Sequence, residues 1–195
     1  MRESEPDSDK LFEKQPQFKK PRFLDNKKSS GREAGDALHK FLQFASFEKL
    51  EALEGIKGEL VRVVKDSFLL SKQAELVDTA AVLKFAQSDI FKRLIASGNY
   101  QKEKRFLFNI AADKMFKGAE NENILVQGVL DCYFIEKDGA VILDYKTDHL
   151  KSESEFIDRY ALQLKLYKQA LGQQNIKVKQ LYIYSFYLGK TLAVD

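Results

Sequence analysis

The stretch GVLDCYFIEKDGAVILDYKT, residues 128–147, decides the fold of this chain. Its centre, residues 137–139 (KDG), is a turn sequence between two runs of apolar and β-branched residues. Two such runs around a short glycine-containing turn predict a β-hairpin. If residues 136–139 form the loop, the register of the two strands places Asp131 directly opposite Asp144.

This register brings three charged side chains together. Facing Cβ atoms of an antiparallel pair are about 4.5–5.5 Å apart. Lys146 lies two residues beyond Asp144 and therefore points to the same side of the sheet. Two carboxylates that face each other destabilise a sheet, and these strands are apolar on both faces, as in sheets that are covered on both sides. The repulsion between Asp131 and Asp144 predicts that a positively charged group lies beside them.

A hard divalent cation with oxygen ligands is one such group. Lys146 would then stabilise negative charge on a phosphate or help to position an attacking water. The spacing alone leaves a second interpretation open, in which Lys146 bridges both aspartates at a partly exposed hairpin end. A register slip of one residue would also separate the cluster.

The chain before the hairpin is predicted to be mostly helical. Ser30 and Glu33 have the spacing of a capping box, and apolar residues then recur at helical intervals. Further helices are predicted at residues 76–86 and 89–96, followed by the stop signal Gly98-Asn99. These segments predict an N-terminal helical block.

The remaining segments complete an α/β pattern. Strands are predicted at residues 100–111, 124–135, 140–147 and 178–187, because these segments are rich in β-branched and aromatic residues. A long helix is predicted between the last two strands, from the N-cap Ser152 to Leu171, with Gly172 as its stop. The order predicts an α/β domain with a mixed central sheet and flanking helices.

The first 28 residues have a different composition. All three prolines lie within residues 1–21, and the aromatic residues there are isolated. Such a segment buries too little surface to offset the entropy of ordering, so residues 1–28 are predicted to be a flexible linker or tail and residues 29–195 one domain. Between residues 14 and 28, six basic residues against one acidic residue leave open a tail that contacts a partner or a phosphate.

Overall composition limits the function classes. The net charge is only +3 although 31% of the residues are charged, so any basic surface for DNA is local. The single cysteine, Cys132, excludes an internal disulfide and a four-cysteine zinc or iron–sulfur site. The sequence has neither an apolar run of about 18 residues nor a signal-peptide core. These features predict a soluble intracellular protein without a membrane partner.

Four motifs occur in the order of a known family. Residues 128–131 (GVLD) and 144–147 (DYKT) resemble the G-x-[IL]-D and D-Y-K-T signatures of the RecB-type nucleases. Residues 31–39 (GREAGDALH) resemble their first motif, and residues 163–167 (QLKLY) their Q-x-x-x-Y motif. These nucleases are a branch of the PD-(D/E)XK superfamily, and the chain is similar to the C-terminal nuclease domain of AddA-type helicase–nucleases. The resemblance covers residues 31–187.

The resemblance implies a restriction-endonuclease-like fold and a metal-dependent DNA nuclease. It implies that Asp131, Asp144 and Lys146 are catalytic. It also implies that His39, both aspartates and the backbone carbonyl of Tyr145 hold Mg²⁺ or Mn²⁺, with no iron–sulfur cluster.

Three further residues are assigned less directly. The resemblance implies that Gln163 and Tyr167 position DNA. Taken alone, their i,i+4 spacing is more typical of helix packing. Glu103 stands where the family often has a glutamate at the start of a strand, although its basic neighbours suit a surface ion pair equally well. His149 matches no motif and is predicted to be a loop residue.

The first motif also has a physical interpretation. Gly31, Gly35 and His39 are four residues apart and share one helix face. The glycines would allow this helix to approach another element closely, with His39 presented against it. A lone helical histidine is more often structural or exposed, so its role as a ligand depends on the resemblance.

The biological setting is also an implication of the resemblance. It implies an exonuclease for single-stranded DNA that is joined to a helicase motor and pairs with an AddB-type protein. The process that it implies is double-strand-break repair by end resection, in the bacterial cytoplasm. The G-x-x-x-x-G-K-[ST] loop of such a motor does not occur in the sequence. The chain is therefore expected to be either part of a longer protein or a standalone relative. The alternatives are a non-cleaving DNA-binding or scaffolding module with this fold, and an α/β interaction domain without nucleic acid.

Overall fold

The predicted hairpin lies at the centre of a sheet in the computed structural model, which describes residues 30–111 and 122–194. Strand β2, Asn123–Glu136, pairs antiparallel with β3, Gly139–Lys146. Their register is the predicted one, but the ladder ends where Cys132 faces Leu143. The two aspartates therefore continue the predicted register without being a sheet pair themselves.

The sheet has five strands in the order β1-β2-β3-β4-β5. Strand β1, Tyr100–Ala111, runs antiparallel to β2, and β4, Val178–Ser185, runs parallel to β3. Strand β5, Lys190–Val194, returns antiparallel to β4. The mixed sheet confirms the predicted fold class.

The last predicted strand, residues 178–187, is wrong in its extent. Strand β4 ends at Ser185, and a second strand that was not predicted follows it. Gly189 has φ 61, a left-handed conformation that glycine adopts without steric cost. This turn reverses the chain and sends β5 back along β4.

The helices with predicted positions lie there with small shifts at their ends, and two more helices complete the predicted helical block. The elements are α1 Ser30–Phe44, a 3-10 turn Phe47–Lys49, α2 Leu53–Lys65, α3 Ser71–Ala74, α4 Thr79–Ala86, α5 Asp89–Ser97 and α6 Glu153–Gly172. Asp78 caps α4 through the N–H groups of Ala80 and Ala81, so this helix begins later than predicted. Ser152 caps α6 as predicted, by accepting from the N–H of Glu155.

The sheet is covered on both faces, as the apolar strands predict. Phe134, Val141 and Leu143 pack against the block α1–α5 in one buried cluster. Ile142 and Ile183 belong to a second buried cluster with α6. The charged end of the hairpin therefore lies between two layers of helices.

The predicted tail, residues 1–28, lies outside the described residues. Helix α1 begins at Ser30, the residue predicted to be its N-cap. Within residues 30–111 and 122–194, no helix is long and apolar enough to cross a membrane.

Candidate active site

Helix α1 carries His39 to the end of the central hairpin because Gly35 lets it approach β3 closely. A Cβ atom at Gly35 would lie 2.6 Å from Oγ1 of Thr147. One turn further along α1, Nδ1 of His39 lies 3.5 Å from Oδ1 of Asp131. The predicted close approach is confirmed at Gly35, whereas a Cβ atom at Gly31 would meet nothing within 4 Å.

Asp131 is held by two partners. Its Oδ2 accepts a hydrogen bond of 2.8 Å from the backbone N–H of Tyr145. Burial raises the pKa of Asp131, but the hydrogen bond and charge of His39 and the Tyr145 N–H outweigh burial and lower it. The same contact raises the pKa of His39 above its usual value, although burial alone would lower it. Asp131 is therefore an ionised, oriented carboxylate.

Asp144 is in a different environment, with an exposed fraction of 1%. Nζ of Lys146 lies 2.6 Å from Oδ2 of Asp144 as an ion pair. Even so, neither carboxylate oxygen accepts a hydrogen bond of normal geometry from the described residues. Burial, followed by the charge of Asp131, raises the pKa of Asp144 to about 7, against the opposing effect of Lys146. Asp144 is the least satisfied charged group of the site.

Lys146 is held between the sheet and α6. Its Nζ lies 4.4 Å from the ring centroid of Tyr160, a distance at which a cation is attracted to the face of the ring. The hydroxyl of Tyr160 donates a hydrogen bond of 2.6 Å to Oδ2 of Asp148. Tyr160 belongs to none of the four sequence motifs. Its only signal was its position three residues before Gln163 on one helix face.

Gln163 and Tyr167 are neighbours on α6, as their spacing predicts. Nε2 of Gln163 donates a hydrogen bond of 2.5 Å to the hydroxyl of Tyr167. The Tyr167 ring is buried and packs on Phe106 with the centroids 5.5 Å apart. Burial, and then the charge of Asp144, raises the pKa of Tyr167. The Tyr167 hydroxyl is thus close enough to be affected by the charge of Asp144. The Tyr167 ring packs α6 against the sheet.

Glu103 joins the electrostatics of the cluster. Strands β1 and β2 pair on both sides of Glu103, but Glu103 itself has φ 53 and no partner in the ladder. Burial, followed by the charge of Asp131, raises the pKa of Glu103. In the part of the chain that the structure describes, it forms no ion pair with Lys102, Lys104 or any other residue, so the surface ion pair considered for it is not observed.

The donor types at this site fit a hard divalent cation. Within the described ranges, no three His, Cys, Asp or Glu side chains are close enough to form a metal-binding group as they stand. The ammonium of Lys146 is the cation beside Asp144 instead. However, both Asp144 oxygens are buried and accept no hydrogen bond of normal geometry from the described residues, and carboxylate oxygens are the ligands that Mg²⁺ and Mn²⁺ prefer. The residues therefore fit such an ion in chemistry and charge.

Two predicted groups contribute differently from the rest. Tyr145 contacts the cluster through its backbone N–H, which donates a hydrogen bond to Asp131. The role of its carbonyl as a metal ligand stays a prediction. His149 lies in the loop after β3, as predicted, and outside the Asp131–Asp144–Lys146 cluster.

The comparison with known families defines the class of protein. The model of the PD-(D/E)XK nuclease superfamily matches residues 15–191. This chain belongs to that superfamily, as the four motifs, the mixed sheet and the paired aspartates beside a lysine predict.

Two similar curated proteins are each described as one of the subunits of an ATP-dependent helicase/nuclease. The protein of Clostridium botulinum (strain Okra / Type B1) is 36% identical over 187 residues, which are 91% of this chain and 14% of that protein. The protein of Clostridium novyi (strain NT) is 35% identical over 185 residues, 90% of this chain and 15% of that protein. The chain thus spans about one seventh of the length of these relatives. They confirm the AddA-type resemblance.

One solved structure, described as the crystal structure of SSO0001, covers 85% of this chain and 75% of its own. Its TM-score of 0.35 and identity of 11% are too low to support a conclusion.

Proposed function

We propose that this chain is a metal-dependent deoxyribonuclease domain in which Asp131, Asp144 and Lys146 are the catalytic residues. The observation that carries the proposal is the burial of the Asp144 carboxylate beside a second carboxylate, Asp131. Asp144 is buried, and burial raises its pKa to about 7 in spite of the ion pair with Lys146. A buried carboxylate of this kind is costly to ionise, and such sites persist where they bind an ion or perform chemistry. Superfamily membership supports a nuclease, and the buried Asp144 supports placing its chemistry at the end of the hairpin.

His39, Asp131, Asp144 and the backbone carbonyl of Tyr145 are proposed to hold Mg²⁺ or Mn²⁺. When bound, such an ion acts as a Lewis acid on the phosphate and lowers the pKa of a coordinated water.

The protein groups have distinct roles in hydrolysis of the phosphodiester bond. Asp131 keeps a fixed orientation because the Tyr145 N–H donates to it. The ammonium of Lys146 is held over the Tyr160 ring and stabilises negative charge that develops on a phosphate oxygen. Gln163 and Tyr167 position the DNA strand through a shared hydrogen bond that orients both polar ends. Glu103 adds negative charge beside Asp131 and is proposed as an accessory acid of the site.

The wider setting is proposed from the relatives. These relatives are named as helicase/nuclease subunits, which supports a motor that delivers single-stranded DNA to this domain. We propose that the intact protein pairs with an AddB-type protein and resects double-strand breaks as an exonuclease in the bacterial cytoplasm. Residues 29–195 are proposed as the nuclease domain and residues 1–28 as a linker or tail, a division supported by the proline-rich, polar composition of the first 28 residues. A chain that begins at residue 29 should then keep the melting temperature of the full chain.

The alternative is a DNA-binding or scaffolding module with the same fold that does not cleave. The ion pair between Lys146 and Asp144 favours this alternative, because the ammonium already neutralises the buried carboxylate.

One experiment distinguishes these functions. The 195-residue chain is incubated with labelled linear and circular single-stranded DNA and with duplex, each with Mg²⁺, with Mn²⁺ and with chelator. The proposal predicts cleavage of the linear single strand with either metal, resistance of the circle, and no cleavage in chelator. Binding without cleavage under every condition would support the non-cleaving module. A chain that neither binds nor cleaves any of these substrates would contradict both.

A further inference from the structure

An exposed aromatic pair lies beside the candidate active site. The rings of His149 and Tyr187 are stacked, with their centroids 4.5 Å apart and their planes at 20°. Both residues are exposed, and Tyr187 has an exposed fraction of 53%. We call this pair the aromatic platform. It contributes to none of the buried clusters of the described residues.

The platform lines two adjoining cavities at the N-terminal end of α1. One cavity of about 410 Å³ is lined by His39 and His149 together, with Arg32, Asp36 and Asp148 around them. The other, of about 290 Å³, is lined by both platform residues. Because His149 borders both cavities, the platform forms one end of an open surface whose other end is His39.

We propose that the aromatic platform stacks on a nucleobase of a single-stranded DNA substrate and so positions the strand beside the cleaved bond. The proposal rests on the proposed nuclease function and adds a specific contact to it. Aromatic side chains bind single strands by stacking on successive bases, whereas the bases of a duplex already stack on one another. An exposed platform next to the site would therefore favour single strands over duplex.

The position of the platform along the chain supports this assignment. His149 lies three residues after Lys146, so their Cα atoms are at most about 11 Å apart. A nucleotide whose base rests on His149 or Tyr187 is thus close to the strand position at which Lys146 acts on a phosphate. The platform is anchored on one side by the loop after β3 and on the other by the turn after β4.

The charges around the cavity are mixed. Arg32 is exposed and is able to pair with a phosphate of the same strand. Asp36 and Asp148 oppose a phosphate, but Asp148 already accepts a hydrogen bond from Tyr160 and lies 3.7 Å from Nη1 of Arg159. Base stacking is therefore the main interaction expected to bind the strand at this surface, and pairing of Arg32 with a phosphate is a smaller one.

The first test measures binding of a single-stranded oligonucleotide in chelator, so that no cleavage interferes. Stacking on one aromatic side chain contributes about 1–3 kcal/mol, so Tyr187→Ala should raise Kd roughly fivefold to a hundredfold. His149→Ala should act in the same direction, and Tyr187→Phe should stay near wild type because it keeps the ring. Tyr187→Leu removes the aromatic face while keeping bulk, and provides the same test if the alanine variant is unstable.

Phe68→Ala is the matched control. Phe68 also forms an exposed stacked pair, with its ring centroid 4.2 Å from that of Phe44, and it has an exposed fraction of 40%. Phe44 ends α1 and lies about 8 Å along the helix axis beyond His39, the last residue of this helix that lines either cavity. Phe68→Ala should leave Kd for the oligonucleotide unchanged.

The second test uses oligonucleotides that each lack one base. Wild-type binding should weaken most when the missing base is the one that stacks on the platform, and Tyr187→Ala should lose this dependence on position. A merely structural role for Tyr187 would leave the positional profile unchanged. If wild type cleaves single strands while Tyr187→Ala matches it in both Kd and profile, the platform proposal is wrong and the nuclease proposal stands. If wild type neither binds nor cleaves, the nuclease proposal itself fails.

Discussion

The two aspartates of the site share a hairpin end but have opposite protonation properties. Asp131 gains a backbone N–H and an imidazole, which together lower its pKa in spite of burial. Asp144 gains only the ammonium of Lys146, and burial and the charge of Asp131 outweigh it, so that its pKa rises to about 7. Without a metal, the ionised form of Asp144 is therefore a cost to the folded state at alkaline pH.

This cost is measurable with Asp144→Asn in chelator at pH 8. The variant removes the charge and nearly keeps the shape, so it should melt at the wild-type temperature or above. Adding Mn²⁺ should reverse the order, because wild type gains about 2.7 kcal/mol at a hundredfold excess over its Kd. Thermal melts with and without metal check both parts. A clearly lower melting temperature in chelator would mean that the Lys146 ion pair is a net stabilising contact.

Lys146→Ala separates chemistry from metal binding. Loss of a group that stabilises charge in the transition state lowers kcat about 100- to 1000-fold. The Mn²⁺ affinity should be unchanged or tighter, because the ammonium competes for Oδ2 of Asp144. Single-turnover rates and calorimetric titration measure the two effects, with Lys179→Ala, whose ion pairs are with Glu136 and Asp138, as control. A large loss of Mn²⁺ affinity in a folded Lys146→Ala protein would make Lys146 a structural residue.

At the scale of elements, the site depends on the close contact between α1 and the end of β3. Gly35→Ala would place a Cβ atom 2.6 Å from Oγ1 of Thr147 and so push the two elements apart. We expect His39 to move away from Asp131 and cleavage to fall at least tenfold, since a displacement of about 1 Å in an active site can cost about 100-fold in rate. Gly58→Ala, in open space on α2, should change nothing. Wild-type cleavage by Gly35→Ala would show that this contact does not set the position of His39.

Glu59 links the first two helices of the helical block. It accepts hydrogen bonds from the Ser46 N–H at 2.8 Å and from Nη2 of Arg62 at 2.7 Å, and its exposed fraction is 2%. Burial raises the pKa of Glu59, but the hydrogen bonds from Arg62, Ser46 and Lys49 lower it to about 2. Its contribution to stability is therefore complete above its unfolded pKa and is lost as the pH falls toward 2.

Glu59→Gln should accordingly lower the free energy of unfolding by about 3 kcal/mol at pH 7. The gap to wild type should narrow as the pH falls below 4.5. Denaturant unfolding at several pH values measures this difference in the free energy of unfolding, with Glu54→Gln on the exposed face of α2 as control. A gap that is constant between pH 7 and pH 3 would show that the charge of Glu59 is not what stabilises the block.

The same scale shows what the sequence could predict. The hairpin register follows from the turn at residues 137–139 and from the two apolar runs, both of which are local signals. Beyond Cys132, where that ladder ends, the Tyr145 N–H donates to the Asp131 side chain, a contact that no sequence pattern encodes. Strand β5 was missed because residues 186–187 are aromatic and continue the strand pattern into the turn that separates β4 from β5.

At the scale of the whole molecule, the candidate site joins α1, β2, β3 and α6. The motifs predicted which residues meet, because the family resemblance supplies pairings that are distant in sequence. They could not predict Tyr160 under Lys146 or Tyr187 against His149, since these contacts depend on how α6 and the turn after β4 pack on the sheet. Spacing within an element is readable from the sequence, whereas distances between elements are results of packing.

The measurement that tests the central claim most directly is single-turnover cleavage of linear single-stranded DNA by Asp144→Ala with saturating Mn²⁺. Asp138→Ala is the matched control, since Asp138 lies at the exposed turn of the same hairpin. We predict that Asp144→Ala loses cleavage while its DNA affinity stays near wild type, because phosphate affinity comes from dispersed basic residues. Asp138→Ala should cleave like wild type. Removal of a key transition-state contact is expected to lower cleavage about 100-fold or more. A folded Asp144→Ala protein that retains about a tenth or more of wild-type cleavage would therefore contradict the assignment.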